Sequence, residues 1–116
     1  MSAFGTIIST SEVKDTASQT PADAATINVT VVAGKNTVVR WTTTQNTTVN
    51  ISAGTPSIGD RLTMIVINDG ILPRVITWGT LLTSIGVATG VISKTSIVEF
   101  VGNGANFVES NRTVGI

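Results

Sequence analysis

The sequence contains no histidine, cysteine or tyrosine, and only 12% of its 116 residues are Asp, Glu, Lys or Arg. Without imidazole a Ser-His-Asp triad is excluded, and without thiolates so are disulfides and cysteine metal sites. Seven basic residues balance seven acidic ones, and neither sign is clustered, which argues against binding to nucleic acid or to an anionic membrane. We therefore expect no cofactor, no metal, no nucleic-acid partner and no membrane partner.

Long hydrophobic runs are also missing. No apolar stretch approaches the ~20 residues that span a bilayer, and the N-terminus lacks the basic and apolar regions of a secretory signal. The length is that of one domain. Because the charged fraction is about half the usual ~25%, we expect a partner to cover part of the neutral surface, in an oligomer or a larger assembly.

Residues 1–25 differ from the rest of the chain because no apolar period persists there. Ser, Thr, Ala, Asp and Gln dominate residues 10–25. We predict an extended N-terminal arm over residues 1–25, anchored by Phe4, Ile7 and Ile8, followed by a β-sheet domain over residues 26–116. The arm either packs on a neighbouring subunit or frays as chain termini often do, and both interpretations remain open.

From Thr26 onward, apolar residues alternate with polar ones at the period of half-buried strands. The strongest strand is predicted over residues 61–68, where both faces are apolar, which indicates a central strand or a subunit interface. Residues 81–92 are predicted to form a loop with a short strand, and no stretch shows a helical stripe. We predict an all-β, single-domain antiparallel β-sandwich with a jelly-roll-like topology. The other strands are predicted near residues 27–31, 37–42, 49–51, 74–78, 96–101 and 106–109.

Few side chains are available for catalysis or for sugar binding. Paired carboxylates hydrolyse glycosides, and the candidates are Asp60, Asp69, Glu99 and Glu109. We favour their interpretation as outward-facing strand residues paired with arginines such as Arg74 or Arg112, and we expect the chain not to be an enzyme.

Two tryptophans are the only large amphipathic rings of the chain. Exposed tryptophans stack on sugars in carbohydrate-binding modules, but Trp41 shares a strand face with Val39, and Trp78 shares one with Ile76. Core packing is therefore the favoured interpretation of both rings.

Several short segments occur in an order that resembles a known family. They are Gly59-Asp60-Arg61-Leu62, Ile67-Asn68, Val75-Ile76-Thr77-Trp78-Gly79, Val98-Glu99-Phe100-Val101 and Gly104-Ala105-Asn106-Phe107-Val108-Glu109. This order, over about the last two thirds of the chain, resembles a β-module of tailed-bacteriophage virion proteins. The module recurs in capsid decoration, head-fibre and tail-fibre proteins. Phe107 stands where such modules often carry Trp, and the resemblance supplies no catalytic residue.

The resemblance implies an all-β unit that commonly forms trimers on a virus particle. For a chain of this length we expect a capsid decoration (cement) protein, made in the host cytoplasm and located in the virion. It would be a homotrimer bound to the major capsid protein, stabilising the head lattice. The alternative is a tail-fibre or tail-tip module that binds a receptor or glycan; a non-viral β-sandwich module is less favoured.

The assembly hypothesis singles out three groups of residues. The arm residues Phe4, Ile7 and Ile8 would reach a neighbouring subunit, and the loop over residues 54–59 would contact the capsid. The threefold contact would involve one face of the strand at residues 61–68. That face consists of Leu62, Met64 and Val66, or alternatively of Ile65 and Ile67.

Overall fold

Ten strands fill most of residues 14–116, the part of the chain that the computed structural model describes. This part contains no helix, so none of it is a helix long and apolar enough to cross a membrane. The prediction of an all-β domain is confirmed. The strands are β1 (Thr16–Gln19), β2 (Thr26–Thr30), β3 (Asn36–Thr43), β4 (Thr47–Ala53), β5 (Arg61–Asn68), β6 (Val75–Trp78), β7 (Leu82–Thr83), β8 (Ala88–Thr89), β9 (Thr95–Gly102) and β10 (Phe107–Thr113).

The strands form two sheets between which the chain alternates. The six-stranded sheet has the order β1-β3-β5-β9-β10-β7, and the four-stranded sheet has the order β2-β4-β6-β8. Strands β1, β3 and β5 are parallel, as are β2, β4 and β6. Each of the pairs β1–β2, β3–β4 and β5–β6 is therefore one coil of a short β-solenoid, called coil 1, coil 2 and coil 3 below.

The predicted antiparallel sandwich with a jelly-roll-like topology is wrong in strand direction. Among the strands of residues 14–116, only the pairs β5–β9, β9–β10 and β6–β8 are antiparallel. The alternation of apolar and polar residues specifies which face of a strand is buried, but it does not specify the direction of the neighbouring strand. The connection over residues 31–35 is as short as a hairpin loop, yet it carries the chain from β2 in one sheet to β3 in the other.

The core lies between the inner faces of the two sheets. Across the six-stranded sheet, Val39 pairs with Met64 and Met64 pairs with Val98, so inward residues of neighbouring strands form continuous rows. Full burial of each such side chain contributes roughly 1.5–3 kcal/mol. The largest buried core residues are Phe100, Phe107, Leu62, Met64 and Trp41.

Strand β5 has the central position that its two apolar faces predict. It lies between β3 and β9 in the six-stranded sheet. Leu62, Met64 and Val66 are buried in the core, whereas Ile65 and Ile67 lie on the outer face and are partly exposed.

Part of the segment that was expected to be an arm belongs to the solenoid. Residues 16–19 form β1, which pairs in parallel with β3 through Thr16 and Asn36. Lys14, immediately before β1, forms an ion pair with Asp60. The candidate arm residues Phe4, Ile7 and Ile8 lie outside the described residues.

Side chains of Asn and Asp connect successive coils at the corners where strands begin or end. The Asn36 Oδ1 atom of coil 2 accepts a hydrogen bond from the Arg61 backbone N–H of coil 3 at 3.0 Å. Asn46 Oδ1 accepts from the Val75 N–H at 2.9 Å, and Asn50 Oδ1 accepts from the Thr80 N–H at 2.8 Å. These bonds satisfy backbone donors that have left the ladder of the sheet.

Asp60 connects three parts of the chain at one corner. Its side chain is almost fully buried, with the residue 2% exposed. Its Oδ1 atom lies 2.7 Å from Lys14 Nζ, and its Oδ2 atom accepts a hydrogen bond of 2.8 Å from the Gly34 N–H. Gly34 occupies the turn between β2 and β3 with a φ of 84°, a conformation that favours glycine. Asp60 therefore ties the start of coil 3 to the start of coil 1 and to the turn that leads into coil 2.

We predict that Asp60→Ala lowers the free energy of unfolding by about 2 kcal/mol, because it leaves the Gly34 N–H without its acceptor and Lys14 without its partner. Lys14→Ala is the matched control. It removes only an ion pair whose lysine side chain is 34% exposed, so its cost should be about 0.5 kcal/mol. Urea unfolding measures both values. Equal midpoints for wild type and Asp60→Ala would contradict this role of Asp60.

Candidate assembly surfaces

The four carboxylates considered for glycoside hydrolysis are separated and bonded to other groups. Asp60 occupies the corner described above. Asp69 forms a two-point ion pair with Arg74, with Nη2 2.6 Å from Oδ2 and Nε 3.1 Å from Oδ1. Glu109 forms a similar pair with Arg112, at 2.8 and 2.9 Å. The predicted pairing of carboxylates with Arg74 and Arg112 is therefore present, but the predicted outward orientation is wrong for Asp60 and Glu109, whose side chains are only 3% and 4% exposed.

Glu99 and Glu109 do not face each other across the β9–β10 hairpin. Glu109 pairs with Phe100, whose side chain is buried in the core, whereas Glu99 precedes Phe100 and points to the outer face. Neighbouring residues of a strand point to opposite faces, so the two carboxylates lie on opposite sides of the sheet. Residues 14–116 also hold no group of three or more acidic side chains arranged to bind a metal ion.

Both tryptophans pack in the core, as predicted. Trp41 is 3% exposed, and Trp78 is partly buried against the core with its ring at 69° to that of Phe100 and the centroids 5.1 Å apart. This edge-to-face arrangement is favourable for aromatic pairs. Trp41 consequently offers no face for stacking on a sugar.

A cavity of about 10 Å³ lies between the sheets near Asn68, Arg74 and Ser96. This volume corresponds to roughly one water molecule. It is too small for an organic ligand, so this part of the interior does not indicate a small-molecule site.

The predicted contact residues of β5 and of the loop at residues 54–59 have different environments. Leu62, Met64 and Val66 pack inside their own domain, which leaves the opposite face of β5 as the one open to a neighbour. In the loop, the Pro56 carbonyl accepts a hydrogen bond of 2.9 Å from the Gly104 N–H. Ile58, by contrast, is largely exposed.

A group of exposed apolar residues lies at the edge where β3 and β5 end. We call it the terminal apolar cluster, and it comes from the β5–β6 loop, the β8–β9 loop and the C-terminal segment. The Ser93 N–H donates to the Asp69 carbonyl at 2.9 Å, and Ile116 exchanges two backbone hydrogen bonds with Thr95. These bonds bring the three segments together. The cluster consists of Ile71, Leu72, Val91, Ile92 and Ile116.

The sequence alone did not identify the terminal apolar cluster. Its first two members follow Asn68-Asp69-Gly70, which reads as an ordinary turn. The other members are up to 45 positions further along, and only the folded chain brings them together. The signal that was available is the unusual presence of paired large apolar residues, Ile71-Leu72 and Val91-Ile92, directly beside turn residues.

The outer faces of the two sheets differ in composition. On the four-stranded sheet, Thr, Asn and Ser occupy nearly all outward positions of β2, β4 and β6, and Val75 is the apolar exception. On the six-stranded sheet, five of the twelve outward positions of β3, β5 and β9 are apolar. These apolar residues are Val38, Ile65, Ile67, Ile97 and Val101.

Comparison of the chain with protein-family models, with curated proteins and with solved structures finds no match. The case for a function therefore depends on the geometry of these surfaces and on the sequence resemblance described above.

The ion pair of Asp69 and Arg74 stabilises the loop that carries the terminal apolar cluster. The hydrogen bond from Arg74 lowers the pKa of Asp69 below its ordinary value of 3.8, and burial opposes this effect. The charge of Arg74 and backbone hydrogen bonds from Ile71 and Leu72 lower the pKa further. Because the folded state favours the ionised form, this stabilisation is present above pH 3.8 and is lost as the pH falls through the lowered pKa.

We predict that Asp69→Asn lowers the thermal unfolding midpoint at neutral pH and weakens the loss of stability on acidification below pH 3.8. Arg74→Gln should have a similar effect at neutral pH. The double variant should be little worse than either single variant, because all three lose the same ion pair. If the double variant lowers the thermal unfolding midpoint by the sum of the two single effects, the two residues act independently.

Proposed function

We propose that this chain is a non-enzymatic structural protein of a virion, and that it decorates the capsid and stabilises the head lattice. The observation that carries the proposal is the terminal apolar cluster, which stays exposed although the domain has a complete core. Ile71 is 71% exposed, and Leu72 and Ile116 are also more than half exposed. Large apolar residues gathered and exposed at one edge of a folded domain are typical of a site that another protein covers.

The segments beneath the terminal apolar cluster are held by many hydrogen bonds. Asn68 is buried, and its Nδ2 atom donates to the Leu72 carbonyl at 2.7 Å. Its Oδ1 atom accepts from the Arg74 N–H at 2.8 Å. A surface already fixed in shape loses little conformational entropy on binding, so more of the energy of apolar burial remains for affinity. This preorganisation supports a docking role.

The proposed partners are two further copies of the chain and the major capsid protein. Both follow from the resemblance to phage decoration modules. The low charge density agrees with them, because attachment to a protein lattice needs complementary apolar and hydrogen-bonding surface rather than a strong electrostatic field. We propose the virion as the site of action, after synthesis in the host cytoplasm.

A tail-fibre module is the second candidate function, and the stacking of coils favours it. Within residues 14–116, β1 pairs only with β3 and β2 pairs only with β4, so coil 1 presents two strand edges on one side. Edges of this kind accept a further strand from another segment or chain. A longer fibre built of stacked coils would use them in this way.

The capsid role is tested by adding the purified protein to capsids that lack it and then heating them. We expect bound protein to raise the temperature at which the particles open. Ile71→Lys should weaken capsid binding at least about tenfold, since it places a charge in the terminal apolar cluster.

Ile85→Lys is the matched control for this experiment. Ile85 is 80% exposed but lies in the β7–β8 loop, outside the terminal apolar cluster. Its substitution should leave capsid binding unchanged. Equal effects of the two substitutions would contradict the role of the cluster, and failure of the wild-type protein to bind capsids would favour the tail-fibre candidate.

A further inference from the structure

The outer face of the six-stranded sheet is unusual when it is compared with the outer face of the four-stranded sheet. Both faces belong to the same solenoid, and inward and outward residues alternate in the same way along the strands of both sheets. An open sheet face normally carries polar residues, and the four-stranded sheet follows that rule with Thr, Asn and Ser. The six-stranded sheet departs from it at Ile65, Ile67 and Ile97 on its two central strands.

Three isoleucines of this face form a continuous patch. Ile65 on β5 pairs directly with Ile97 on β9, and Ile67 is the next outward residue of β5. Val101 lies at the other end of the same face of β9, separated from Ile97 by Glu99, and does not belong to this patch. Directly paired β-branched residues pack against each other, so the patch is a continuous ridge and not a set of isolated side chains.

Three charged residues lie on this outer face, and they are Arg40, Glu99 and Arg61. Arg61 is exposed at the start of β5, where it pairs with Val101, away from the isoleucines. Arg40 and Glu99 flank the central strand with opposite charges. Arg40 lies on β3, on one side of β5, and is exposed. Glu99 lies on β9, on the other side of β5. Within residues 14–116 neither side chain takes part in an ion pair: the three pairs there are Lys14–Asp60, Arg74–Asp69 and Arg112–Glu109. The side chain of Glu99 accepts only a long hydrogen bond of 3.4 Å from Asn111.

We propose that this face is a contact between copies of the chain, in which Arg40 of one copy pairs with Glu99 of the next. The positive flank on β3 complements the negative flank on β9. Around a threefold axis the β3 side of each face would therefore meet the β9 side of its neighbour. Ile65 and Ile67 on the central strand would then lie near the axis, away from water.

The size of the face determines how strong such an assembly is. Strands β3, β5, β9 and β10 are seven or eight residues long. At about 4.8 Å between strands and about 3.3 Å per residue they cover roughly 500 Å² in each copy. Three copies would form three contacts of about 500 Å² each, which is the size of a weak, transient contact and below the ~1,200–2,000 Å² of stable two-partner interfaces.

The expected number of copies, three, rests on the proposed virion role. The contact surface is inferred from the geometry of the sheet and does not depend on that role. The test therefore uses the purified full chain without capsids. Light scattering and analytical ultracentrifugation measure its mass across a range of concentrations. We expect a trimer for wild type, and at least about tenfold weaker association for Arg40→Glu and for Glu99→Arg.

The decisive variant is the double exchange Arg40→Glu with Glu99→Arg, which restores opposite charges with the signs reversed. It should recover most of the lost association. Asn28→Glu is the matched control, since Asn28 is an exposed outward residue on the four-stranded sheet. It should associate like wild type. Circular dichroism and thermal unfolding confirm that each variant is folded.

A monomeric wild-type chain at high concentration would overturn this inference, and so would a double exchange that fails to recover association. A dimer with the same pattern of loss and recovery would support the surface and overturn the threefold arrangement. Capsid binding is measured separately with Ile71→Lys. A failure to bind capsids would therefore not change the conclusion on self-association. A failure to self-associate would likewise not change the conclusion on capsid binding.

Discussion

The solenoid depends on how the backbone donors at its corners are satisfied. A chain that passes from one sheet to the other leaves the ladder of parallel strands, and its N–H groups there need other acceptors. Asn36, Asn46 and Asn50 supply side-chain oxygens to the next coil, and Asp60 supplies one to the Gly34 N–H at a buried corner. These bonds also fix the offset between coils, on which the alignment of the inner faces depends. The abundance of asparagine in a chain with few charges therefore has a structural reason.

Local sequence was sufficient to predict which residues share a face of each strand, but for β5 it left open which of the two faces is buried. The inward residues Val39, Leu62 and Phe100 all lie where alternation predicts, and β5 has the central position that its two apolar faces indicate. Strand direction was not predictable in this way, because it depends on contacts between distant residues. The bond from the Arg61 N–H to Asn36 spans 25 positions, and nothing in either residue's neighbourhood identifies the other.

For the candidate surfaces too, the sequence of one strand identifies some of the residues, but their neighbours on other strands are known only from the fold. Ile65 and Ile67 were candidates from the sequence, because they form the second apolar face of β5. The alignment of Ile65 with Ile97, and the placement of Arg40 and Glu99 on opposite flanks, follow only from the register of three strands. A one-residue change of register on β9 would turn Glu99 inward and remove the charge complementarity.

The two candidate surfaces are suited to different partners. The outer face of the six-stranded sheet has isoleucines on its central strands, and Arg40 and Glu99 on either side complement each other, as a contact between identical copies requires. The terminal apolar cluster is formed by loops held in place by Asn68 and by the ion pair of Asp69 with Arg74. If copies associate through the sheet, each oligomer presents several equivalent clusters in a fixed arrangement. Weak attachment of each cluster to a repeating lattice would then combine into strong attachment of the whole, because later contacts form at high effective concentration.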